Sequence, residues 1–385
     1  MNAVATEQQG VVLVLDAENR SSLAVIRSLG RAGLRVIAAS HLDQAIGTAS
    51  KYVSQVCSYS SPSKNSEKFV EDLLALVKKH KPQMLLPCSD LSLELILSKE
   101  NEFRALTCLP FSDQGTINNI INKDKILEIA NNCGIETPHT VESQTKPNLE
   151  SFPFPAVVKA SKSFSKGSEG FSKPAVCYAN NSIELKNILE SFSGPALIQQ
   201  RIIGPGVGVF TLSRAGKVLS VFCHKRLLEK PPTGGVSVLS ESIFESEAPV
   251  AQAIKLIEAL KLDGIAMLEF KQGTDGKFYL MEINPRFWGS LQLAISAGRD
   301  FPLMLYNSFI NNDSTNKQRP YLVGLRLRWF LGTLDHLIIR LKKDGPAKVL
   351  SYNALMLFQE IGRTKYDVFD ANDIKPFLRE LKNYL

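Results

Sequence analysis

The sequence predicts a doubly wound α/β domain followed by an α+β body of two subdomains. Two patterns carry this expectation. Apolar runs and helical periodicities alternate over the first 110 or so residues, and further on short strands, hairpins and glycine-rich turns replace them. At 385 residues, with 44% apolar and 22% charged, the chain is long enough for two or three domains around substantial cores.

The segment "VVLVLDAENRSSLAVIRSLGRAGLRVIAAS" has an apolar run at 11–15, Leu23, Ile26 and Leu29 at helical spacing within 20–32, and a second run at 34–39. This is a βαβ unit, the building block of a parallel sheet. Helical spacing recurs over 67–79, then comes the strand "QMLLP" and a further helix from Asp90. The first βα turn, "LDAENRS", has no G-x-G-x-x-G, which disfavours NAD or FAD and leaves a scaffold that lends a substrate-binding edge. A connector helix, "NKDKILEIANNCGIETPHT", ends at Cys133-Gly134 and cannot continue through Pro138. Strands and turns follow at "AVVKA", "SKSFSKGSEG", "ALIQQRIIGPGVGVF" and "KVLSVFCHKRL", with one helix at about 248–261. Near the C-terminus "YLVGLRLRWF" alternates like a strand, and Phe330, Leu334, Leu337, Ile338 and Leu341 form a helical stripe. A basic amphipathic helix either lies on a membrane surface or packs on its own domain, and packing is the expectation here. The resulting division is 1–115, 116–195, 196–312 and a C-terminal α/β extension, 313–385, packing on the third unit.

The net charge of +7 comes mostly from residues 311–385, which carry thirteen Lys/Arg against eight Asp/Glu. The basic residues form no long run and no nucleic-acid motif, so no nucleic-acid partner is expected. Six isolated cysteines without C-x-x-C spacing fit a reducing cytoplasm, and five scattered histidines exclude zinc fingers and H-E-x-x-H sites. No signal-like start and no apolar run of about 18 residues is present, so no stable membrane insertion is expected.

Glu269 and Glu282 interrupt two apolar runs in "MLEFKQGTDGKFYLMEINPRFWGS". The turn "GTDG" makes those runs a hairpin, which brings the carboxylates near each other with Asn284 on the same face. Two carboxylates and an amide oxygen in an apolar hairpin need a cation, and hard oxygen donors with room for water and phosphate suit Mg²⁺. Lys159 stands before the Ser/Gly stretch 161–170, whose backbone N–H groups suit phosphate oxygens; a plain solvated loop has the same composition. Lys123, on the connector helix, is a weaker candidate. "LIQQRIIGPGVG" is a strand that breaks into glycines, where Gln200 and free backbone groups suit an adenine edge or simply a turn. His224, Lys225 and Arg226 precede a Pro-Pro turn and a Gly-Gly pair, cations placed for a phosphoryl or carboxylate group or a solvated basic strand.

In this order and spacing the segments "NKDKILEIANNCGIETP", "VVKA", "QQRIIGPGVG", "KRLLEKPPTGGVSVLSES" and "LEFKQGTDGKFYLMEINPRFWGSLQLAISAGRDFP" resemble the ATP-grasp superfamily, most closely its carboxylate-amine ligase or carboligase-like branch. The likeness spans about 120–305, with the start of the chain similar to the pre-ATP-grasp domain. It implies a two-subdomain ATP-grasp fold holding ATP and Mg²⁺, with Mn²⁺ as an alternative ion. Lys123 (or Lys125) and Lys159 would meet the phosphates, and Ser165 and Gly167 would close over them. Gln199, Gln200 and the backbone near Ile203 would contact adenine. Glu269, Glu282 and Asn284 would hold the metal. Arg286, Arg226 and Lys225 would face the transferred phosphoryl group or the substrate carboxylate, and Ser237, Trp288 and Ser290 would border the substrate. Glycines 204–208 stand where relatives place the ribose acid, so ribose is left without a residue. The implied reaction forms an acyl phosphate from a carboxylate and ATP and couples it to an amine such as an amino acid, in a homodimer. Rival readings are a bicarbonate-phosphorylating carboxylase and a non-catalytic ATP-binding module.

Overall fold

The computed structural model describes residues 10–145, 147–160, 165–167, 170–172, 176–192, 194–313, 320–345 and 363–385. Strands β1 (Val11–Val14), β2 (Arg35–Ser40), β3 (Val53–Ser58) and β4 (Met84–Leu86) form a parallel sheet in the order β3-β2-β1-β4. Helices α1 (Arg20–Arg31), α2 (Ser66–His80), α3 (Asp90–Leu97) and α4 (Glu100–Arg104) accompany it. The local signals are ordinary ones. Asn65 caps α2 by accepting from the Lys68 N–H, and Lys78, Lys79 and His80 meet the negative end of its dipole. Helices α5 (Gln114–Ile121) and α6 (Lys123–Asn132) follow, α6 capped by Asn122 and stopped at Gly134, which takes φ +70°.

A second, antiparallel sheet has the order β5-β10-β6-β9, from β5 (Thr140–Glu142), β6 (Ala156–Ala160), β9 (Cys177–Ala179) and β10 (Ala196–Gln200). Helix α7 (Ser182–Ser191) covers the face built from Phe152, Ala156, Val158, Leu185 and Ile198. This sheet runs through Gln200, past the expected boundary at 195, because β10 pairs with β5 and β6. Part of the 161–170 stretch lies outside the described residues; the backbone of β7 (Ser165–Gly167) and β8 (Gly170–Ser172) pairs as an antiparallel hairpin rather than a plain loop.

The third sheet has seven strands in the order β15-β14-β11-β12-β13-β16-β17. These are β11 (Gly206–Arg214), β12 (Lys217–Lys230), β13 (Val236–Ser242), β14 (Gly264–Gln272), β15 (Phe278–Asn284), β16 (Arg326–Arg328) and β17 (Thr364–Tyr366). Helices α8 (Val250–Ala259), α9 (Leu291–Ser296), α10 (Phe301–Ile310), α11 (Phe330–Asp344) and α12 (Lys375–Tyr384) complete the chain. The large sheet shares its cores with the parallel one. Leu13, Leu15 and Phe69 pack in one cluster with Val209, Leu268 and Phe270, and Val12 and Val14 in another with Phe210, Trp288 and Phe301.

The C-terminal segment corrects two expectations. It extends the large sheet through β16 and β17, yet it also clamps the N-terminal helix α1. Arg27, 1% exposed, donates from Nε to Asp373 (2.9 Å) and from Nη2 to the carbonyls of Val368 and Asp373, while Asp373 also accepts from Ser50 and the Lys51 N–H. Ion pairs Arg20–Asp367 and Arg31–Asp370 flank it. With this clamp on one side, and with Ser22 bonded to the Leu15 and Asp16 carbonyls and Ser28 to Asp300 on others, helix α1 is buried nearly all round. The second correction concerns α11. Its expected packing stripe faces outward, with Phe330, Leu334, Ile338 and Leu341 all exposed. Leu331, Thr333 and His336 face inward instead, the last bonded through Nδ1 to the Glu229 carbonyl (2.6 Å).

Removing one partner of a buried ion pair strands the other. Arg27→Ala is expected to lower the unfolding free energy by about 3–5 kcal/mol, read by urea denaturation.

Candidate active site

The β14–β15 hairpin turns where the Gly273 N–H donates to the Lys277 carbonyl and Gly276 takes φ +80°. That turn sets the register in which Glu269 stands directly opposite Glu282. The row continues across the sheet: Gly208 on β11 pairs with Glu269, and His224 on β12 pairs with Gly208. Two residues along, Gly206 pairs with Lys271 and lies against the Arg226 side chain. Residues directly opposite share a face, so the two glycines open a bare notch that β12 side chains cover. A Cβ on Gly208 would stand 2.9 Å from His224 Nε2, and one on Gly206 3.1 Å from Arg226 Cδ. Arg226 bridges Glu269 (Nη2 to Oε2, 2.6 Å) and Glu229 (Nη1 to Oε1, 3.1 Å).

Each carboxylate has a different environment. Burial pushes the Glu269 pKa up, Glu282 adds to this, and Arg226 opposes it. Burial also works against the Glu282 charge, but the Asn284 amide (Nδ2 to Oε1, 2.9 Å) and the cations Lys123, Lys159 and Arg286 outweigh it and hold that carboxyl below its ordinary value. Arg286 forks onto Asp90 of the parallel-sheet unit (2.6 and 2.8 Å) and reaches Asn284 Oδ1 (3.2 Å). From the facing sheet comes Lys159, whose Nζ donates to Gln199 Oε1 (2.8 Å), while Gln199 Nε2 donates to Thr140 (2.9 Å). Enclosure, and then the Lys123 charge, lower the Lys159 pKa to about 8 against the opposing pull of Glu282 and Glu269. Lys159, Gln199, Arg226, Glu269, Glu282, Asn284 and Arg286 border one cleft of about 440 Å³ between the two antiparallel sheets.

A family model described as "ATP-grasp in the biosynthetic pathway with Ter operon" matches residues 195–333. Among solved structures the chain is similar to an L-amino acid ligase from Bacillus licheniformis, at TM-score 0.62 and 19% identity over 82% of this chain and 78% of that one. It is similar to biotin carboxylase from Campylobacter jejuni in an ATP-analogue complex, at 0.64 and 13% over 83% and 74%. A third likeness is to an N5-carboxyaminoimidazole ribonucleotide synthetase in its ADP complex, at 0.60 and 12% over 82% and 79%. The chain has the ATP-grasp fold. No curated protein sequence matches it.

Within this ATP-grasp fold, Lys159, Gln199, Arg226, Ser237, Glu269, Glu282, Asn284, Arg286, Trp288 and Ser290 all line the cleft. Lys225 does not. Strand alternation turns it to the opposite face of β12, where it pairs with Glu241 (3.0 Å). The same parity separates Gln199, 1% exposed in the cleft, from Gln200, which borders a different cavity beside Asp124 and Glu142. Ile203 is 58% exposed, and Ile202 takes the place in the cleft wall. Lys123 opens α6 and acts on Lys159 and Glu282 through its charge, whereas Lys125 is exposed. For Ser165 and Gly167 only the backbone pairing of β7 with β8 is described. Arg20, Asp90, Gly206 and Gly208 escaped the sequence reading. The alternating glycines and the 224/226 parity were visible signals; Arg20 and Asp90 had none, because only tertiary packing brings them here.

Lys159 supplies a pH test. Its native pKa of about 8 lies below the ordinary 10.5, so between those values the unfolded chain binds the extra proton and stability rises with pH. Relative to Lys159→Met, the wild-type unfolding free energy is expected to climb across that window and stay level below it. Urea denaturation of both proteins over the pH range measures the difference.

Proposed function

We propose that this chain is an ATP-dependent ligase that activates a carboxylate as an acyl phosphate and joins it to an amine. The observation that carries the reading is the register: two half-buried carboxylates face each other on adjacent strands, with Asn284 beside them and Lys159, Arg226 and Arg286 converging on the same cleft. Two carboxylates and one amide are too few for a closed cage and suit an ion that keeps positions for water and phosphate, which favours Mg²⁺. When bound, that ion would screen charge on the phosphates; Glu269, Glu282 and Asn284 would hold it.

The remaining work falls to the protein. Lys159, oriented by Gln199, donates to phosphate oxygens, and the backbone between Gln199 and Ile203 borders the adenine. Arg286 is fixed by its fork onto Asp90, so it meets the transferred phosphoryl group with little reorganisation. Arg226 neutralises Glu269 and turns toward the same group. A substrate carboxylate oxygen forms a bond to the γ-phosphorus as the bond to ADP breaks. The amine lone pair then attacks the acyl carbon, phosphate leaves with the bonding electrons, and the amine gives up a proton. Ser237, Trp288 and Ser290 border the substrate at the far end. The neighbouring L-amino acid ligase supports an amino acid as one partner. The six free cysteines accord with a reducing compartment such as the cytoplasm, and no helix of the described residues is long and apolar enough to cross a membrane.

A second reading, bicarbonate phosphorylation, is favoured by the equal likeness to biotin carboxylase. One assay separates them: ADP release with ATP, Mg²⁺ and pools of amino acids and other carboxylates, against bicarbonate alone. Stimulation by the pools is expected, with a loss of about 100-fold or more in Glu282→Gln. Bicarbonate-only stimulation would transfer the activity to the second reading, and nucleotide binding without turnover under either condition would remove both.

A further inference from the structure

Besides the carboxylates, the cleft is lined by His224, Trp288, Gly289 and Ser290, with Arg20 against Gly289. Two buried side chains there carry polar atoms without a hydrogen-bond partner among the described residues: His224 Nε2 and Trp288 Nε1, each on a residue 1% exposed. Phe210 holds both rings, with centroids 4.7 Å from His224 and 4.2 Å from Trp288. Orphaned polar atoms are costly, and native folds keep them chiefly where something else supplies the partner.

The chemistry of that partner follows from the atoms. Indole N–H only donates. Burial, with Arg226 nearby, pushes the His224 pKa down to about 3, so its ring is neutral. Its Nδ1 lies 3.3 Å from Ser290 Oγ; when that hydroxyl donates, the ring proton sits on Nε2, making it a second donor. Arg20 is the third. Asp367 takes its Nη1, the Trp329 ring lies 4.0 Å from its guanidinium carbon, and Nη2 stands 3.2 Å from where a Cβ on Gly289 would be. A glycine at 289 thus lets a guanidinium from the parallel-sheet unit reach the wall of the cleft. With Nη1 held by Asp367, the Nη2 edge of this planar cation and the two ring N–H groups are the donors left for a ligand, and such a set matches a carboxylate. Two strand spacings, about 10 Å, separate the Glu269 and His224 backbones, room for a phosphoryl group followed by a compact amino acid.

We propose that Arg20, His224 and Trp288 form the subsite for the free carboxylate of an α-amino acid, the amine partner of the ligation, with Arg20 as the specificity-determining residue. This rests on the ligase reading of the same cleft. Its test uses binding rather than turnover. The chain has two tryptophans, so the ¹⁵N–¹H indole signal of Trp288 is assigned by its loss in Trp288→Phe. The full-length protein, with Mg²⁺ and a non-hydrolysable ATP analogue, is titrated with a pool of α-amino acids and with the same pool as amino acid amides. The acids are expected to shift the Trp288 signal and the amides to leave it in place. Arg20→Gln is expected to weaken the response about tenfold to a hundredfold. Gly289→Ala, which keeps every donor but crowds Nη2, is expected to weaken it in a protein with an unchanged circular dichroism spectrum. Equal shifts from acids and amides, no shift from either, or wild-type affinity in both variants would overturn the assignment. Failure of the ligase reading looks different: the acid preference at Trp288 persists while no pool stimulates ADP release.

Discussion

Two carboxylates facing each other across neighbouring strands cannot stay ionised in an enclosed site without compensation, and the surrounding architecture answers that constraint. The register sets Glu269 opposite Glu282. At an effective dielectric near 20, like charges at such spacing repel by several kcal/mol (about 4 at 4 Å). Three cations are drawn in from three directions: Arg226 across the glycine notch, Arg286 along the edge and Lys159 from the facing sheet. Their differing anchors give them different freedom. Arg286 is held along one edge by a two-pronged fork onto Asp90, Lys159 is tethered to a neutral amide, and Arg226 is shared between two acids.

This arrangement explains why the parallel sheet is more than a platform. Its first βα turn carries no glycine fingerprint. Instead the parallel-sheet unit sends two side chains from the starts of two helices into the cleft region, Arg20 from α1 and Asp90 from α3. Both sit beyond strand ends of a parallel sheet, the edge where such folds present their functional groups. The shared cores keep that edge at a fixed distance from the large sheet.

What the sequence disclosed follows the range of the interactions. The hairpin bearing the two glutamates was readable because a tight turn specifies register locally, and the βαβ start because periodicity is local too. Side-chain parity was half-readable. Period-two counting separates Arg226 from Lys225 and Gln199 from Gln200, but which member faces the cleft depends on what packs behind the strand. The outward stripe of α11 misled for the same reason: periodicity identifies an apolar face without saying whether a partner covers it. Arg20 was illegible, since Asp367 and Gly289, the residues that fix its position, lie far along the chain.

The clamp on α1 has a bearing on how the chain is made. Arg27 and Asp373 are 346 residues apart, and at ribosomal speeds of about 5–20 residues per second the first waits on the order of tens of seconds for the second to be synthesised. Until then the face of the first helix that carries Arg20, Leu23, Arg27 and Arg31 lacks its C-terminal cover. Three arginines around one leucine give that waiting face a charged surface, the kind of composition that discourages association between chains.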